Sequence, residues 1–578
     1  MFVQRIDLQR KTRGSGRWHL PVIALAALAA IAPELVLGLT VSDSYRFNLL
    51  WPEQFGDLFR AGNLYPRWLP RSWDGMGSPV FYFYPPLFFW ITALIQSLGG
   101  DSLPVERAVP LASMLLLAMS GFAMRAWVRT LVSDRRALAS AIAYMLTPYH
   151  LYDLYGRGAL AEASAYASVP IVMLALARLA EGRVRYGPLL AAAYCALLLS
   201  HLPTALLVSV FLIPPYVIFA AARSARPARF IMLAAISGLV GVALAAIYVV
   251  PAVTLLRYVS PRVLSGAFYQ PGNWFFWHFE PGPMGARMFL IIPASIAAFL
   301  LSAGAAWKSR SGPHRGNTLF WSGLTMSLVL LIGGAVPALW DLPGLALVQF
   351  PWRALLIVDF ACVTLLASSP PSFRNPWVIG GTAAAAYAYV VLALMASHTV
   401  GRTWHGGTQT AAEIRASFGD APEYLPAGTR MADRPGPVDV DVTLPEHQAP
   451  SADPPDVRIA SLSERDGGMT VAIDSAEPAR VTLPRFYFPG WELLDGKGQP
   501  IPVEPAPGDR LVSFAAPAGH STFHLRRGLA PTEKLAQGLS ALGLLCLALL
   551  AAMTFRRRGS SRPRSSEPRL DAVADFPL

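Results

Sequence analysis

The chain has 578 residues, 54% of them hydrophobic and 15% charged, with a mean hydropathy of +0.41 and a formal net charge of +12. That balance excludes an ordinary soluble protein and fits a polytopic membrane protein. The positive charge implies no nucleic-acid partner. Arg and Lys crowd the ends of apolar runs (Arg5, Arg10, Lys11, Arg13 and Arg17; Arg129, Arg135 and Arg136; Arg223, Arg226 and Arg229; Arg556, Arg557 and Arg558), where they mark cytoplasmic loops and attract anionic lipid. Cys195, Cys362 and Cys546 all lie in apolar runs, so neither a disulfide framework nor a cysteine metal site is implied.

The basic residues 1–18 are expected in the cytoplasm. Leu20–Leu39, about 20 apolar residues with no convincing small-residue cleavage site, reads as a retained helix leading outward. Val41–Leu98 is too polar to span a membrane and too rich in aromatics and Pro for a flexible linker. Asp43 lies just past the helix end. Arg46, Asp57, Arg60, Arg67, Arg71 and Asp74 follow among aromatic residues, as in a site at the membrane interface or in an aromatic belt that only anchors the protein. Pro85–Leu98, about 14 residues, is short for a span and opens on Tyr-Pro-Pro. As a span it would leave Arg129, Arg135 and Arg136 outside. It reads instead as a helix along the outer interface, within one external loop of residues 40–106.

Ala108–Leu131 then returns inward and Ala137–Tyr152 leads out to a second external loop carrying Tyr149, His150, Asp153, Arg157 and Glu162. Residues 163–180 return to a basic loop, and two short spans meet near Ser200–Pro203. Phe230–Val250 leads to a third external loop, Pro251–Gly285, whose Pro, Gly, Trp and His suggest a shaped loop over a cavity. Residues 286–307 go in and Thr318–Val336 goes out. A fourth external loop ends in QFPWRALLIVDF, with Arg353 at the outer start of the next span, and Trp377–Ala396 emerges again. Residues 397–533 carry short alternating segments such as MTVAID and ARVTLPRFYF, which read as strands. The predicted fold class is a polytopic α-helical membrane protein of about twelve spans with both termini cytoplasmic. A membrane module, residues 1–396, precedes an external β-rich domain, 397–533, a final span, 534–556, and a disordered tail, 557–578. No internal repeat is evident, which weakens an inverted-repeat transporter reading.

Asp43 at the exit of the first helix, GNLYPRW at Gly62–Trp68 and GMGSPVFYFYPPL at Gly75–Leu87 resemble the first external loop of the GT-C membrane glycosyltransferases. Within them the chain is most similar to bacterial membrane proteins labelled 6-pyruvoyl-tetrahydropterin-synthase-related, a label that says nothing reliable about chemistry. FPWR at Phe350–Arg353 and FPGW at Phe488–Trp491 extend the likeness over most of the chain. The motifs are short, and their value lies in order and placement. The resemblance implies an inverting glycosyltransferase that moves a sugar from a polyprenyl-phosphate donor to a cell-envelope glycan, lipid or protein, on the outer face of the cytoplasmic membrane.

Such chemistry needs a carboxylate to accept the hydroxyl proton or orient the acceptor, and cations to hold the departing phosphate. By position in the resemblance, Asp43 is the candidate base; otherwise it is a helix-end carboxylate solvated at the surface. Glu162 is the second acidic candidate, because Arg157-Gly158 with Glu162 resembles the family's RG…E pattern, and it could equally pair with Arg157 as a structural ion pair. Asp153 reads equally as a surface charge. Arg353 suits a phosphate by its fork geometry, or snorkels to headgroups. Tyr84, His201 and His278 complete the substrate-binding candidates, although a lone buried His such as His201 is more often structural. No repeated carboxylate motif demands a metal, and no cofactor is proposed. Two other classes stay open: a lipid-linked-sugar flippase or transporter, and a silent membrane scaffold displaying the β-domain. The expected geometry has Asp43 facing Arg353 across an outward-opening cavity, with Glu162 on its rim.

Overall fold

The computed structural model describes residues 18–100, 103–260, 269–278, 283–309, 315–369, 381, 411–416, 419–429, 449–464 and 466–559. The expected Trp377–Ala396 span, the basic amino terminus, most of 397–448 and most of the tail lie outside the described residues. Among the described residues, eight helices are long and apolar enough to cross a membrane: His19–Leu37, Val105–Val128, Leu160–Ala180, Leu202–Ala221, Pro227–Leu244, Leu290–Lys308, Pro351–Ser368 and Pro531–Met553. The count of about twelve is not reached among them. The expected span Ala137–Tyr152 is in fact two helices, Asp134–Met145 and Pro148–Tyr155. Pro148 starts the second at its first position, where a missing N–H costs nothing.

Leu160–Ala180 and Pro351–Ser368 are the two most enclosed of the eight. The first opens on LAEASAYAS, whose small side chains let neighbouring backbones approach closely. Around it Trp127, Trp321, Phe360 and Tyr144 interlock, and the buried Trp127 Nε1–H is satisfied by Thr364 Oγ1 at 3.0 Å. Leu87–Gly99 has 13 residues. At about 1.5 Å per residue it falls well short of a bilayer's hydrocarbon thickness. It packs beside the amphipathic helix Tyr45–Arg60.

Residues 449–527 form two antiparallel sheets. One has the order β1-β4-β8-β7, with β1 Ser451–Asp453, β4 Ala479–Phe486, β7 Glu504–Pro505 and β8 Leu511–Ala516. The other has the order β2-β3-β9-β5-β6, with β2 Arg458–Ser463, β3 Met469–Ser475, β5 Trp491–Asp495, β6 Pro500–Ile501 and β9 Gly519–Arg527. Strict alternation in β3 turns Met469, Val471 and Ile473 inward.

This unit packs against the first loop. Trp68, Trp73, Met76 and Tyr82 of the first loop share one apolar core with Phe486, Phe488 and Trp491. The Phe486 N–H donates to the Met76 carbonyl at 2.9 Å. Gly77, at φ +86°, lies so close to Trp68 that a Cβ there would sit 2.4 Å from the indole. Thus GMGSP and FPGW are mainly the two sides of a packing interface. Arg67 of GNLYPRW is likewise structural: it donates to Glu533 Oε1 at 2.8 Å and to the Ile247 carbonyl at 2.9 Å, tying the loop to the last helix.

Candidate functional site

Three chain segments meet at the start of Leu160–Ala180. The turn Gly156–Ala159 connects Pro148–Tyr155 to that helix, and its Gly158 adopts φ +62°. A Cβ at Gly158 would sit 2.1 Å from Ser42 Oγ and 2.6 Å from Asn48 Nδ2. The bare glycine therefore lets the exit of the first helix dock on the turn. Asp43 N–H donates to Gly156 O at 3.2 Å, Ser44 N–H to Arg157 O at 3.0 Å, and Asn48 Nδ2 to Gly158 O at 2.8 Å. Asp43 is exposed, and its backbone is stitched beside Arg157.

Glu162, in the first turn of its helix, is 1% exposed. Its Oε1 accepts from Tyr149 OH at 2.6 Å, and its Oε2 accepts from Arg157 Nη1 at 2.8 Å and from Arg353 Nε at 3.2 Å. Arg157 Nη1 also donates to Asp153 Oδ1 at 2.6 Å and to Tyr149 OH at 2.9 Å. Arg353 Nη1 donates to Val348 O at 2.6 Å and to Gln349 Oε1 at 3.2 Å. Gln349 takes φ +68° to turn the chain into Pro351, which opens the helical entry. Both guanidinium groups lie near the Phe350 ring, Arg353 at 4.9 Å and Arg157 at 6.0 Å from its centroid.

These bonds leave Nε and Nη2 of Arg157, and Nη2 of Arg353, without a hydrogen-bond partner among the described residues. Burial, and then the neighbouring Glu162, push the Asp153 carboxyl well above the usual carboxylate range against the pull of Arg157. Its second oxygen is buried and has no partner among the described residues.

Sequence-predicted residues fare unequally. Asp153, Arg157, Glu162 and Arg353 come together in one ion-pair network, with Glu162 at its centre rather than on a rim. The pairing of Glu162 with Arg157 is present. The surface-charge alternative for Asp153 fails, since it is 0% exposed. His201 sits between the two short apolar helices, its Nδ1 bonded to Thr204 Oγ1 at 2.8 Å and its ring within electrostatic reach of Glu162 and Arg353. Tyr84 is half-buried. Burial pushes its phenol up to about 12 against the nearby positive charges of Arg353 and Arg157. His278 is exposed, and its Nδ1 bonds the Gly272 carbonyl within its own loop, so the structure does not tie it to the network.

Tyr149, Gln349, Tyr269 and Glu423 were not singled out as site residues. Tyr149 could have been, standing two turns before the RG…E pattern. Glu423, in a short Pro-Glu-Tyr turn, carries no motif. Among the described residues, no three His, Cys, Asp or Glu side chains are grouped to hold a metal ion.

No family model and no curated protein sequence matches the chain. Among solved structures it is similar to the mycobacterial arabinofuranosyltransferase AftD, at 20% identity and a TM-score of 0.41, covering 68% of this chain and 28% of that one. It is similar to the Archaeoglobus fulgidus oligosaccharyltransferase at 14% identity and a TM-score of 0.40, covering 72% and 58% respectively. A third is ArnT from Cupriavidus metallidurans bound to undecaprenyl phosphate, at 13% identity and a TM-score of 0.30, covering 61% and 78%. At these scores the likenesses fix neither fold nor chemistry.

Proposed function

We propose that the protein is a GT-C-type membrane glycosyltransferase that moves a sugar from a polyprenyl-phosphate donor to a cell-envelope acceptor, at the outer face of the membrane. One observation carries the reading: a buried pair of arginines gathered on Glu162, with guanidinium N–H groups uncommitted among the described residues. Desolvated arginines at a membrane-helix end are costly unless they serve a partner or a ligand. A guanidinium fork suits phosphate oxygens.

In this reading Arg157 and Arg353 hold the donor phosphate as the anomeric C–O bond breaks and the phosphate takes the bonding pair. Glu162 fixes both guanidinium groups; Asp153, Tyr149 and His201 hold the surroundings. Asp43, exposed beside Arg157, accepts the proton of the attacking hydroxyl. The lipid chain has a place to lie. An apolar groove of about 440 Å³ is lined by Val210, Phe211, Phe320 and Leu324, among others, on the helix that starts at His201 and on Arg315–Ile332. At 1.5 Å per residue, Val210 lies about 14 Å along that helix from His201, within reach of a chain hanging from the arginines.

The test is transfer by the full-length protein in nanodiscs, supplied with polyprenyl-phosphate sugars and an envelope extract. Asp43→Asn should lower turnover by about 10²-fold or more while donor binding survives, because a positioned base contributes on that order. A folded Asp43→Asn protein with full transfer would remove Asp43 from the chemistry. Absence of donor binding by the wild type would remove the reading altogether.

A further inference from the structure

Two further carboxylates, Asp420 and Glu423, lie on the segment Gly419–Thr429, and Glu423 is linked to the arginine network through Tyr84 and Tyr269. Asp420 is buried and anchors that segment, its Oδ1 accepting from Trp51 Nε1 at 2.7 Å and from the Ala421 N–H at 2.7 Å. On the other side Ser260 N–H donates to Leu425 O at 2.9 Å and Ala427 N–H to Tyr258 O at 3.0 Å. Between these anchors, the turn Pro422–Tyr424 holds Glu423 half-buried. No other residue among those described hydrogen-bonds its carboxylate. Glu423 is within electrostatic reach of Tyr84 and Tyr269, and both tyrosines are also within reach of Arg353. Tyr424 lies parallel to Phe83, with centroids 5.8 Å apart and 7° between planes. Tyr84, Tyr269, Tyr424 and Phe83 are all half-buried.

A carboxylate set among aromatic rings and given no cationic partner is expensive to keep dry. Burial, reinforced by Asp420, holds Glu423 up at about 7. The surroundings also select the ligand. A sugar ring presents apolar C–H faces to aromatic rings and hydroxyl donors to a carboxylate, so it uses both halves of this surface. A cationic peptide would meet the guanidinium groups of Arg353 and Arg157 beside Tyr84. We propose that Glu423, with Tyr84, Tyr269 and Tyr424, forms an acceptor subsite for a sugar ring, the carboxylate accepting hydrogen bonds from its hydroxyls. The word acceptor rests on the transferase reading; binding of the sugar does not need the donor.

Titration of the full-length protein in nanodiscs, without donor, tests the subsite. The probes are short defined glucan, mannan and arabinan oligosaccharides and a Ser/Thr-bearing peptide. At least one glycan should bind, and Glu423→Gln should weaken it about tenfold or more, the usual scale for losing a hydrogen bond to a charged group. Tyr269→Ala should weaken it independently. Affinity for that glycan should rise between pH 6 and 8 in the wild type as Glu423 ionises, and stay flat in Glu423→Gln. The groups facing Glu423 are Asp420, Tyr84, Tyr269, Tyr424 and, beyond the tyrosines, Arg353. No glycan binding by the wild type, equal binding by a folded Glu423→Gln protein, or preference for the peptide overturns the subsite. Intact glycan binding alongside absent transfer would instead overturn the transferase reading and leave the subsite standing.

Discussion

Replacing Glu162 by Gln is the most telling perturbation of the network. The carboxylate is 1% exposed and accepts from Tyr149, Arg157 and Arg353 at 2.6, 2.8 and 3.2 Å. A Gln side chain keeps the volume but removes the charge, and it points an NH₂ group at atoms that are themselves donors. Arg157 keeps Asp153 at 2.6 Å, whereas Arg353 loses the one carboxylate it pairs with among the described residues. An uncompensated buried charge costs about 3–5 kcal/mol. Part of this is recovered, because Asp153 ionises more readily once the neighbouring Glu162 charge is gone. The net loss should therefore fall near the lower figure, about 3 kcal/mol.

The assay is resistance of the detergent-solubilised protein to SDS unfolding, run on Glu162→Gln, Arg353→Met and the double variant. The double variant removes both members of the pair and should be more stable than the sum of the single losses implies. Donor binding should survive in Glu162→Gln, since the positive charge increases, while turnover falls because the guanidinium groups are no longer held in place. Wild-type stability in Glu162→Gln, or strict additivity in the cycle, would refute the network as an ion-paired unit.

Gly158→Ala should lower both stability and turnover: its φ of +62° is strained for any side chain, on the order of 1–3 kcal/mol, and the added Cβ would push against Ser42, next to Asp43. Paired thermal unfolding and transfer assays check it. Glu533→Gln should loosen the last helix from the first loop, because Glu533 is buried and accepts from Arg67 and Tyr82 at 2.8 and 3.1 Å; faster proteolysis near residue 530 is the readout. The folded state holds the proton on Glu423 up to about 7, against an ordinary 4.5. The wild type therefore loses this contribution as pH rises between those values. Glu423→Gln, which cannot ionise, should gain in unfolding temperature over the wild type from pH 5 to pH 8.

Much of the site was legible because its residues stand at helix ends. Glu162 follows a turn and Arg353 precedes a span, so both had to reach a membrane interface, and the structure joins them. What the sequence hid was depth. Asp153 and Glu162 read as rim or surface charges, yet both are enclosed: Tyr149, Arg157 and Arg353 bond to Glu162 and Arg157 to Asp153, and no spacing rule reports that. The aromatic motifs misled in the opposite sense. GMGSP, GNLYPRW and FPGW look like site motifs, whereas Trp68, Tyr82, Phe488 and Trp491 mostly bind the first loop to the β-sheets. A short motif records that a contact exists, and it does not say whether the partner is substrate or protein. Glu423 was invisible for a further reason: Tyr84 and Tyr269, which join Asp420 and Tyr424 around it, come from segments far away in the chain.

The distribution of charge bears on the transporter alternative. A carrier needs polar groups that pass a substrate across the full thickness, whereas a transferase needs them at one face. At the end opposite Glu162, Arg125 and Arg129 are paired with Asp134, and Arg178 and Arg183 with Glu181. Between the two ends, Asp359 is bonded by Tyr166 OH at 2.8 Å, and Tyr166 lies against His150 with centroids 3.6 Å apart. On the arginine side Nε and Nη2 of Arg157 and Nη2 of Arg353 have no hydrogen-bond partner among the described residues, and Asp43 is exposed next to the Arg157 turn. In the proposed reading, a lipid-borne phosphate at that depth would meet the arginines and the Asp43 carboxylate without having to cross. The arrangement thus favours chemistry at one face over passage through the membrane.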